Sequence, residues 1–315
     1  MSSKSVLISE GILKGQNLHA LWLRERLSGD DFVDKNNLQR LYEPNLLDDT
    51  LTINEYKINN NFLEISFSDG SNGKININEL YDEINSIDVI PNKKLWSASD
   101  KLQIFDNNQI QENKKYLIKM LKSFYEYGYV IIENTKPEEN EVINFAEKLG
   151  PVRTTNWGKL FNVVSKPNPN DLAYTALELK SHSDNPYRKP VPGIQLLHCI
   201  ANESVGGDSS LVDGYSVTEF LKKNHKKFYK ILTETNVNFK FIDVDVILEN
   251  KSKLIELDDN GLFKQINFSS RLDYVPNLRF EDLEIFYQAR KCMYELCNSD
   301  QFKIKFRLSG GMIAM

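Results

Sequence analysis

The feature that most constrains the fold is a series of short apolar runs, from Thr154 onward, that are separated by turn residues. Short runs rich in Val, Ile and Phe are typical of β-strands, and only a few stretches in this region have helical spacing. Strands with a few helices packed outside them predict a mainly β fold with helices (α+β), a double-stranded β-helix or jelly roll. The predicted strands are Ile194–Ile200, Ser209–Val212, Val237–Ile242, Phe263–Phe268 and Lys303–Leu308, and the predicted helices are Val217–Asn224, Lys226–Glu234 and Phe280–Asn298.

Residues 1–95 predict a small β-rich accessory domain, and residues 96–315 predict the larger domain. A polar tract at Asn85–Asp100 resembles a linker between them. The larger domain is expected to begin with two amphipathic helices around a buried strand. The predicted strands of the first domain are Ser5–Ile8, Ala20–Arg24, Thr50–Lys57, Phe62–Phe67 and Lys74–Ile77, followed by a helix at Asn78–Ile84; the second domain is expected to begin with helix Gln111–Tyr127, strand Tyr129–Ile132 and helix Glu138–Leu149.

Composition excludes several classes of function. The net charge of −5 and the lack of a basic stripe argue against nucleic-acid binding. No apolar run is long enough to span a membrane, and the first residues lack the apolar core of a signal peptide. The three cysteines, Cys199, Cys292 and Cys297, have neither a disulfide pattern nor metal-site spacing. We therefore expect a cytoplasmic protein.

The tripeptide His182-Ser183-Asp184 is the strongest chemical signal in the sequence. On an extended segment, residues two apart project to the same face, so the imidazole and the carboxylate can meet. One His and one carboxylate are two of the three ligands in the 2-His-1-carboxylate site that holds non-heme Fe(II). The tripeptide therefore predicts part of an iron site.

The sequence around this tripeptide resembles a known family. The stretch from Ala173-Tyr-Thr through His182-Ser-Asp-Asn-Pro, followed by Pro192-Gly-Ile-Gln-Leu-Leu-His and Gly206-Gly-Asp, is similar to the gamma-butyrobetaine hydroxylase group of the taurine dioxygenase superfamily. The resemblance implies His182 and Asp184 as Fe(II) ligands and catalytic residues, 2-oxoglutarate and O2 as co-substrates, and Leu197 as a cofactor contact. It also implies a hydroxylase, and it allows a homodimer.

The third iron ligand of the family is a His in a segment that follows a strand resembling Phe306–Met315. The arginine that pairs with 2-oxoglutarate comes later still. We therefore expect the chain to be incomplete at its C-terminus, through fragmentation or a frameshift, and to be inactive by itself. His198 is the alternative third ligand, but its apolar strand setting favours a hydrogen-bonded core histidine.

The family holds a trimethylammonium group in a cage of aromatic rings by cation–π attraction. The matching residues here are Trp157, Phe161 and Tyr174. Several relatives also bind zinc through cysteines that follow a motif like the one around His19. This chain has no cysteine before Cys199, so we predict no zinc and a packed or surface role for His19. His225, in a basic stretch, is predicted to lie on the surface.

The residues expected at the anionic end of the substrate leave several alternatives open. They are Asp171, Asn185, Tyr187 and Arg271. Hydroxylation of gamma-butyrobetaine to carnitine is the first possibility. Asn, Tyr and Arg donors suit a trimethylammonium phosphonate, whereas Asp171 could pair with the α-ammonium group of trimethyllysine. The alternative outside the enzymes is an inactive fragment that keeps only a ligand-binding cage.

Overall fold

The computed structural model describes residues 3–85, 91–164, 178–203 and 205–315. The chain folds into two compact units, residues 1–89 and residues 90–315. In the described parts of both units, no helix has the combination of length and apolarity that crossing a bilayer requires.

The first unit is built around a three-stranded antiparallel sheet with strand order β3-β4-β5. Alternate residues of its central strand are buried, as a strand with one face on a core requires. A separate pair of strands and two helices enclose the same core of aliphatic side chains. The elements are β1 (Ser5–Leu7), β2 (Asn17–His19), α1 (Ala20–Arg24), a 3-10 helix (Pro44–Leu46), β3 (Ile53–Asn59), β4 (Phe62–Phe67), β5 (Asn72–Asn76) and α2 (Ile77–Asn85).

The strand predicted at Ala20–Arg24 is wrong, because these residues form helix α1. The side chain of His19 caps this helix: its Nδ1 accepts a hydrogen bond from the backbone N–H of Leu21 at 3.2 Å. The cap satisfies one of the donors that a helix leaves unpaired at its N-terminus. His19 is exposed, which agrees with the expected surface or packing role.

The second unit mixes helices with several small sheets, nearly all of whose strand pairs are antiparallel. Its helices are α3 (Asn107–Glu112), α4 (Lys114–Tyr127), α5 (Glu141–Leu149), α6 (Gly214–Asn224), α7 (Lys226–Glu234) and α8 (Phe280–Asn298). Its strands are β6 (Ile104–Asp106), β7 (Ile131–Glu133), β8 (Leu197–Cys199), β9 (Ser209–Val212), β10 (Asn236–Asp243), β11 (Val246–Lys253), β12 (Ile255–Leu257), β13 (Phe263–Ile266), β14 (Asp273–Tyr274), β15 (Lys303–Phe306) and β16 (Met312–Ala314).

One four-stranded sheet of this unit has the order β6-β7-β16-β8, and only its β6–β7 pair is parallel. Strand β16 pairs with β7 on one side and β8 on the other, and Ile313 at its centre is fully buried. The remaining described strands form the sheets β11-β10-β14, β12-β13 and β15-β9. The predicted strand Lys303–Leu308 is present but ends at Phe306.

The helix predicted at Gln111–Tyr127 is two helices. Asn113 separates α3 from α4, and its side-chain oxygen accepts hydrogen bonds from the backbone N–H groups of Lys115 and Tyr116. Asn is a strong N-cap residue, and this side chain satisfies two donors of a new helix end. His225, expected on the surface, is half-buried and stacks on Phe228, with ring centroids 5.6 Å apart.

Candidate functional site

The His182-Ser183-Asp184 segment is a loop held in place by Ser183. The backbone N–H of Ser183 donates to the carbonyl of Phe268, and the backbone N–H of Phe268 donates to Ser183 Oγ, both at 2.7 Å. Phe268 is buried in the largest hydrophobic core of the second unit, so both bonds join the loop to that core. The segment is not part of a strand. The paired hydrogen bonds nevertheless hold it extended enough for the side chains of His182 and Asp184 to project to the same side.

The two side chains meet: His182 Nε2 lies 3.1 Å from Asp184 Oδ1. His182 Nδ1 lies 2.7 Å from the carbonyl oxygen of Lys180, which can only accept, so Nδ1 carries a proton. The hydrogen bond with Asp184 is the main cause that raises the pKa of His182. Burial raises the pKa of Asp184 most, but hydrogen bonds from His182 and Gln195 and the charge of Arg271 together lower it overall.

This pair fits two positions of a metal site. A backbone carbonyl that binds one ring nitrogen of a histidine directs the lone pair of the other nitrogen to a metal. Gln195 Nε2 donates to Asp184 Oδ2 at 2.6 Å, which leaves Oδ1 facing the imidazole. Across the described ranges, however, no group of three or more His, Cys, Asp or Glu side chains could hold a metal ion.

His198 does not complete the site in this conformation. Its Nε2 lies 3.1 Å from Thr135 Oγ1, and that hydroxyl donates its own proton to the carbonyl of Gly311 at 2.8 Å. The Thr135 hydroxyl therefore links the His198 imidazole to the backbone at Gly311. Burial lowers the pKa of His198, which favours the neutral ring. These contacts agree with the predicted hydrogen-bonded histidine, but His198 is half-buried and does not belong to the buried core.

A tight turn presents the first predicted cage residue. Thr155 and Gly158 exchange backbone hydrogen bonds of 3.0 Å, so Asn156 and Trp157 form the tip of the turn. Gly158 has φ +86°, a conformation that other residues rarely adopt. The Trp157 ring packs against Phe161, at a centroid distance of 5.3 Å and an angle of 55°. Two of the three predicted cage rings are thus adjacent; Tyr174 lies outside the described residues, as does Asp171.

Two further rings, those of Phe241 and Tyr187, extend the pair of Trp157 and Phe161 into an aromatic cluster of four residues. Phe241 meets the edge of Trp157 at 5.3 Å, and Tyr187 stacks on Phe241 at 5.0 Å. Tyr187 was predicted at the anionic end of the substrate, and Phe241 was not predicted as a site residue. The alternation of buried residues on β10 was the available signal for Phe241, but it marks a core position and says nothing about a ligand.

The cluster also contains a cation of the protein itself. The guanidinium carbon of Arg188 lies 5.3 Å from the centroid of Trp157 and 5.6 Å from that of Tyr187. Both distances are within the range of cation–π attraction. Arg188 is buried, and its Nη2 donates to Asn156 Oδ1. In the sequence, Arg188 is the last residue of the motif Asn185-Pro-Tyr-Arg188, which resembles relatives that hydroxylate quaternary-ammonium phosphonates.

The remaining predicted residues lie at different places. Asn185 accepts a hydrogen bond from the Tyr187 hydroxyl, so these two residues of the loop are joined. Arg271 is exposed, and its charge acts on both His182 and Asp184. Leu197 lies on strand β8 opposite Ala314 and is 45% exposed. The structure thus groups Asn185 with Tyr187, and Arg271 with the His182–Asp184 pair.

The chain is similar to one protein family and, among individual proteins, to several dioxygenases. Residues 89–315 match the family model described as Taurine catabolism dioxygenase TauD, TfdA family. Gamma-butyrobetaine dioxygenase of Homo sapiens is 33% identical over 225 residues, 70% of this chain and 58% of that protein. The corresponding enzyme of Pseudomonas sp. (strain AK-1) is 28% identical over 223 residues, 71% of this chain and 58% of that protein. Mitochondrial trimethyllysine dioxygenase of Homo sapiens is 26% identical over 230 residues, 71% of this chain and 55% of that protein.

Proposed function

Because the chain belongs to the TauD/TfdA dioxygenase family, we propose that it is an Fe(II)- and 2-oxoglutarate-dependent hydroxylase of a small quaternary-ammonium acid. The observation that carries this proposal is the approach of His182 Nε2 to Asp184 Oδ1 at 3.1 Å, on a loop that Ser183 fixes to the core. The chain spans less than three fifths of each of these curated relatives, so the activity is proposed for the protein to which these residues belong.

His182 and Asp184 would hold the iron through Nε2 and Oδ1. Bound iron, together with 2-oxoglutarate and O2, supplies the oxidation of an unactivated C–H bond. The residues of this chain have the other tasks. Lys180 and Gln195 orient the two ligands, Arg271 adds positive charge beside them, and Leu197 offers an apolar surface for the co-substrate. No zinc and no nucleic-acid or membrane partner enters this proposal.

We also propose that the small sheets of the second unit belong to a double-stranded β-helix. Family membership and the antiparallel pairing of most strands support this architecture. In such a fold the two sheets enclose the site and keep water from the reacting C–H bond. The first unit would then be the accessory domain.

The substrate proposal rests on the aromatic cluster. Trp157 and Phe161 present adjacent rings, and Phe161 is 39% exposed, so a ligand can reach it. The relatives carry the names gamma-butyrobetaine dioxygenase and trimethyllysine dioxygenase, and both named substrates contain a trimethylammonium group. Each desolvated ring contributes about 0.5–2 kcal/mol to binding such a cation. Tyr174 would be a third ring of the cage.

Three substrates stay open at the anionic end. Asn185, Tyr187 and Arg271 would suit either the carboxylate of gamma-butyrobetaine or a trimethylammonium phosphonate, since each provides hydrogen-bond donors. Asp171 would favour trimethyllysine by pairing with its α-ammonium group.

The test is 2-oxoglutarate decarboxylation with Fe(II) and ascorbate, using gamma-butyrobetaine, trimethyllysine and trimethylaminoethylphosphonate as substrates. We expect His182→Ala to abolish turnover, because one carboxylate alone cannot hold the metal in the required geometry. His19→Ala, a change at an exposed histidine of the first unit, is the control. Unchanged turnover in His182→Ala would refute the site, and substrate binding without any turnover would favour a binding protein.

A further inference from the structure

The guanidinium of Arg188 is buried, and one of its donors has no acceptor among the described residues. Only 8% of the residue is exposed. Its Nη2 donates to Asn156 Oδ1, and the rings of Trp157 and Tyr187 lie beside its Cζ atom. Its Nε is fully buried, and within the described residues it has no hydrogen-bond acceptor. A buried donor without a partner costs about 1–3 kcal/mol, and more when it belongs to a charged group.

Among the described residues, the charge of Arg188 also has no carboxylate partner. Among the ion pairs of the described residues none involves Arg188, and the charged side chain that acts on it is another cation, Arg153. Burial is the main cause that lowers the pKa of Arg188; Arg153 lowers it further, and Tyr187 offsets part of the change. Buried charges in proteins are normally paired. In the part of the chain that the structure describes, the guanidinium therefore lies in an aromatic cluster without a carboxylate, an environment that suits the anionic group of a bound ligand.

We infer that Arg188 receives the anionic group of the substrate and makes the site select zwitterions over simple quaternary-ammonium cations. This inference rests on the proposed function and deepens it. The ring of Trp157 is within reach of both the guanidinium and the substrate ammonium, and two like charges at such distances repel. A ligand that carries its own oxyanion satisfies Nε, neutralises Arg188 and removes this repulsion. A cationic ligand without an oxyanion leaves Nε without an acceptor and is repelled by the charge of Arg188.

The oxyanion can be a carboxylate or a phosphonate, because a guanidinium binds both through parallel N–H···O hydrogen bonds. The position of Arg188 on the loop suits the binding of an oxyanion, because Arg188 directly follows Asn185, Pro186 and Tyr187. The N–H of Arg188 donates to the carbonyl of Asn185 at 3.1 Å, which closes a turn. This turn places the guanidinium four residues after Asp184, beside the predicted donors of the anionic end.

The experiment compares two ligands of similar size that differ in one charge. Calorimetry would measure the Kd of gamma-butyrobetaine, a zwitterion, and of its methyl ester, a cation, for the protein as it is and for Arg188→Gln. We expect the protein to prefer the zwitterion. Arg188→Gln should weaken zwitterion binding about ten- to a hundredfold, as expected for the loss of a charge-assisted hydrogen bond. The ester should bind equally well or more tightly.

Two further variants keep the result decisive. Arg279→Gln, at a surface arginine whose side chain is 81% exposed, is the matched control and should change neither Kd. Arg188→Lys keeps the charge but lacks the planar donors, so it should retain a smaller preference for the zwitterion. Thermal melting of each variant would identify loss of folding. If Arg188→Gln does not fold, the lysine variant decides, and an unchanged preference in it overturns the role of the guanidinium donors.

The other outcomes distinguish a failure of the inference from a failure of the proposed function. Equal losses for the zwitterion and the ester in Arg188→Gln would show that Arg188 only supports the rings, and would overturn the inference alone. Binding of neither ligand by the unmodified protein would overturn the proposed substrate class and the inference with it. Repeating the titration with trimethylaminoethylphosphonate distinguishes the two oxyanions. The oxyanion whose ligand loses more affinity in Arg188→Gln is the one that suits the guanidinium better.

Discussion

At the scale of single residues, Gly311 shows how closely two backbone segments approach each other in the second unit. Its carbonyl accepts hydrogen bonds from both the N–H and the hydroxyl of Thr135. A Cβ atom at Gly311 would lie 2.5 Å from the carbonyl oxygen of Thr135, and the residue has φ +81°. Because Thr135 also binds His198, this contact fixes the end of strand β16 against the neighbouring strands.

We predict that Gly311→Ala destabilises the second unit by about 3 kcal/mol, the sum of backbone strain and steric overlap. Gly261→Ala is the matched control, since Gly261 has φ +76° but nothing within 4 Å of the added atom. It should cost only about 1–2 kcal/mol, the strain of the left-handed conformation. Urea unfolding measures both. Equal costs would show that the backbone near Thr135 relaxes to accept the methyl group.

The second prediction at this scale concerns Trp157. Replacement by Leu keeps apolar volume but removes the ring quadrupole, so the affinity for a trimethylammonium ligand should fall about two- to thirtyfold. The affinity for the neutral tert-butyl analogue should fall much less. Calorimetric titration with both ligands distinguishes the cases. Equal losses would mean that Trp157 contributes packing against Phe241 and not cation–π attraction.

At the scale of elements, the sheet β3-β4-β5 carries a cross-strand charge pattern. Glu64 on β4 is directly opposite Lys57 on β3 and Lys74 on β5. Its carboxylate oxygens lie 3.1 Å from Lys57 Nζ and 2.8 Å from Lys74 Nζ. The hydrogen bonds from Lys74 and then Lys57 lower the pKa of Glu64 to about 2. Opposite charges that face each other across strands stabilise a sheet.

Glu64 should therefore make the stability of the first unit depend on pH. Its pKa is lower in the folded unit than in the unfolded chain, where it is near 4.5. The stabilisation is present above pH 4.5 and is lost as the pH falls toward 2. We predict that Glu64→Gln is less stable than the parent at pH 7 and that the difference disappears near pH 2. Urea unfolding across this pH range measures it, with the exposed Glu55→Gln as control; a constant difference would contradict the prediction.

At this scale the sequence predicted the presence of helices more accurately than the residues at which they begin and end. The helices α5, α6, α7 and α8 lie where the apolar spacing places them. The error at Ala20–Arg24 has a local cause: five residues are too few to separate a period of two from a period of 3.6. The division at Asn113 was present in the sequence as a capping residue, but the continuous apolar spacing of the flanking helices concealed it.

At the scale of the whole molecule, each unit has its own hydrophobic core. The core of the first unit contains the fully buried Leu23, and the largest core of the second contains the fully buried Phe239. We predict that Leu23→Ala, at a cost of about 2–5 kcal/mol, accelerates amide hydrogen exchange within residues 1–89 and leaves residues 90–315 protected. Phe239→Ala should do the reverse. Equal acceleration throughout by either variant would show one cooperative unit.

The sequence by itself determined the types of most elements and the family. Both follow from local information: apolar periodicity lies within a few residues, and the match to the family lies within continuous motifs. It also predicted that His182 and Asp184 meet, because two residues on one short segment lie near each other wherever that segment packs.

Only the tertiary structure decided what surrounds them. The bonds from Ser183 to Phe268, the ring of Phe241 beside Trp157 and the hydrogen bond between His198 and Thr135 all depend on residues far apart in the chain. The setting of Arg188 is of the same kind. Its sequence neighbours predict a charged loop residue, whereas burial against Trp157 and the lack of an acceptor for Nε among the described residues arise only when distant segments exclude water together. Desolvation is a property of the packed molecule, and no local pattern of residues encodes it.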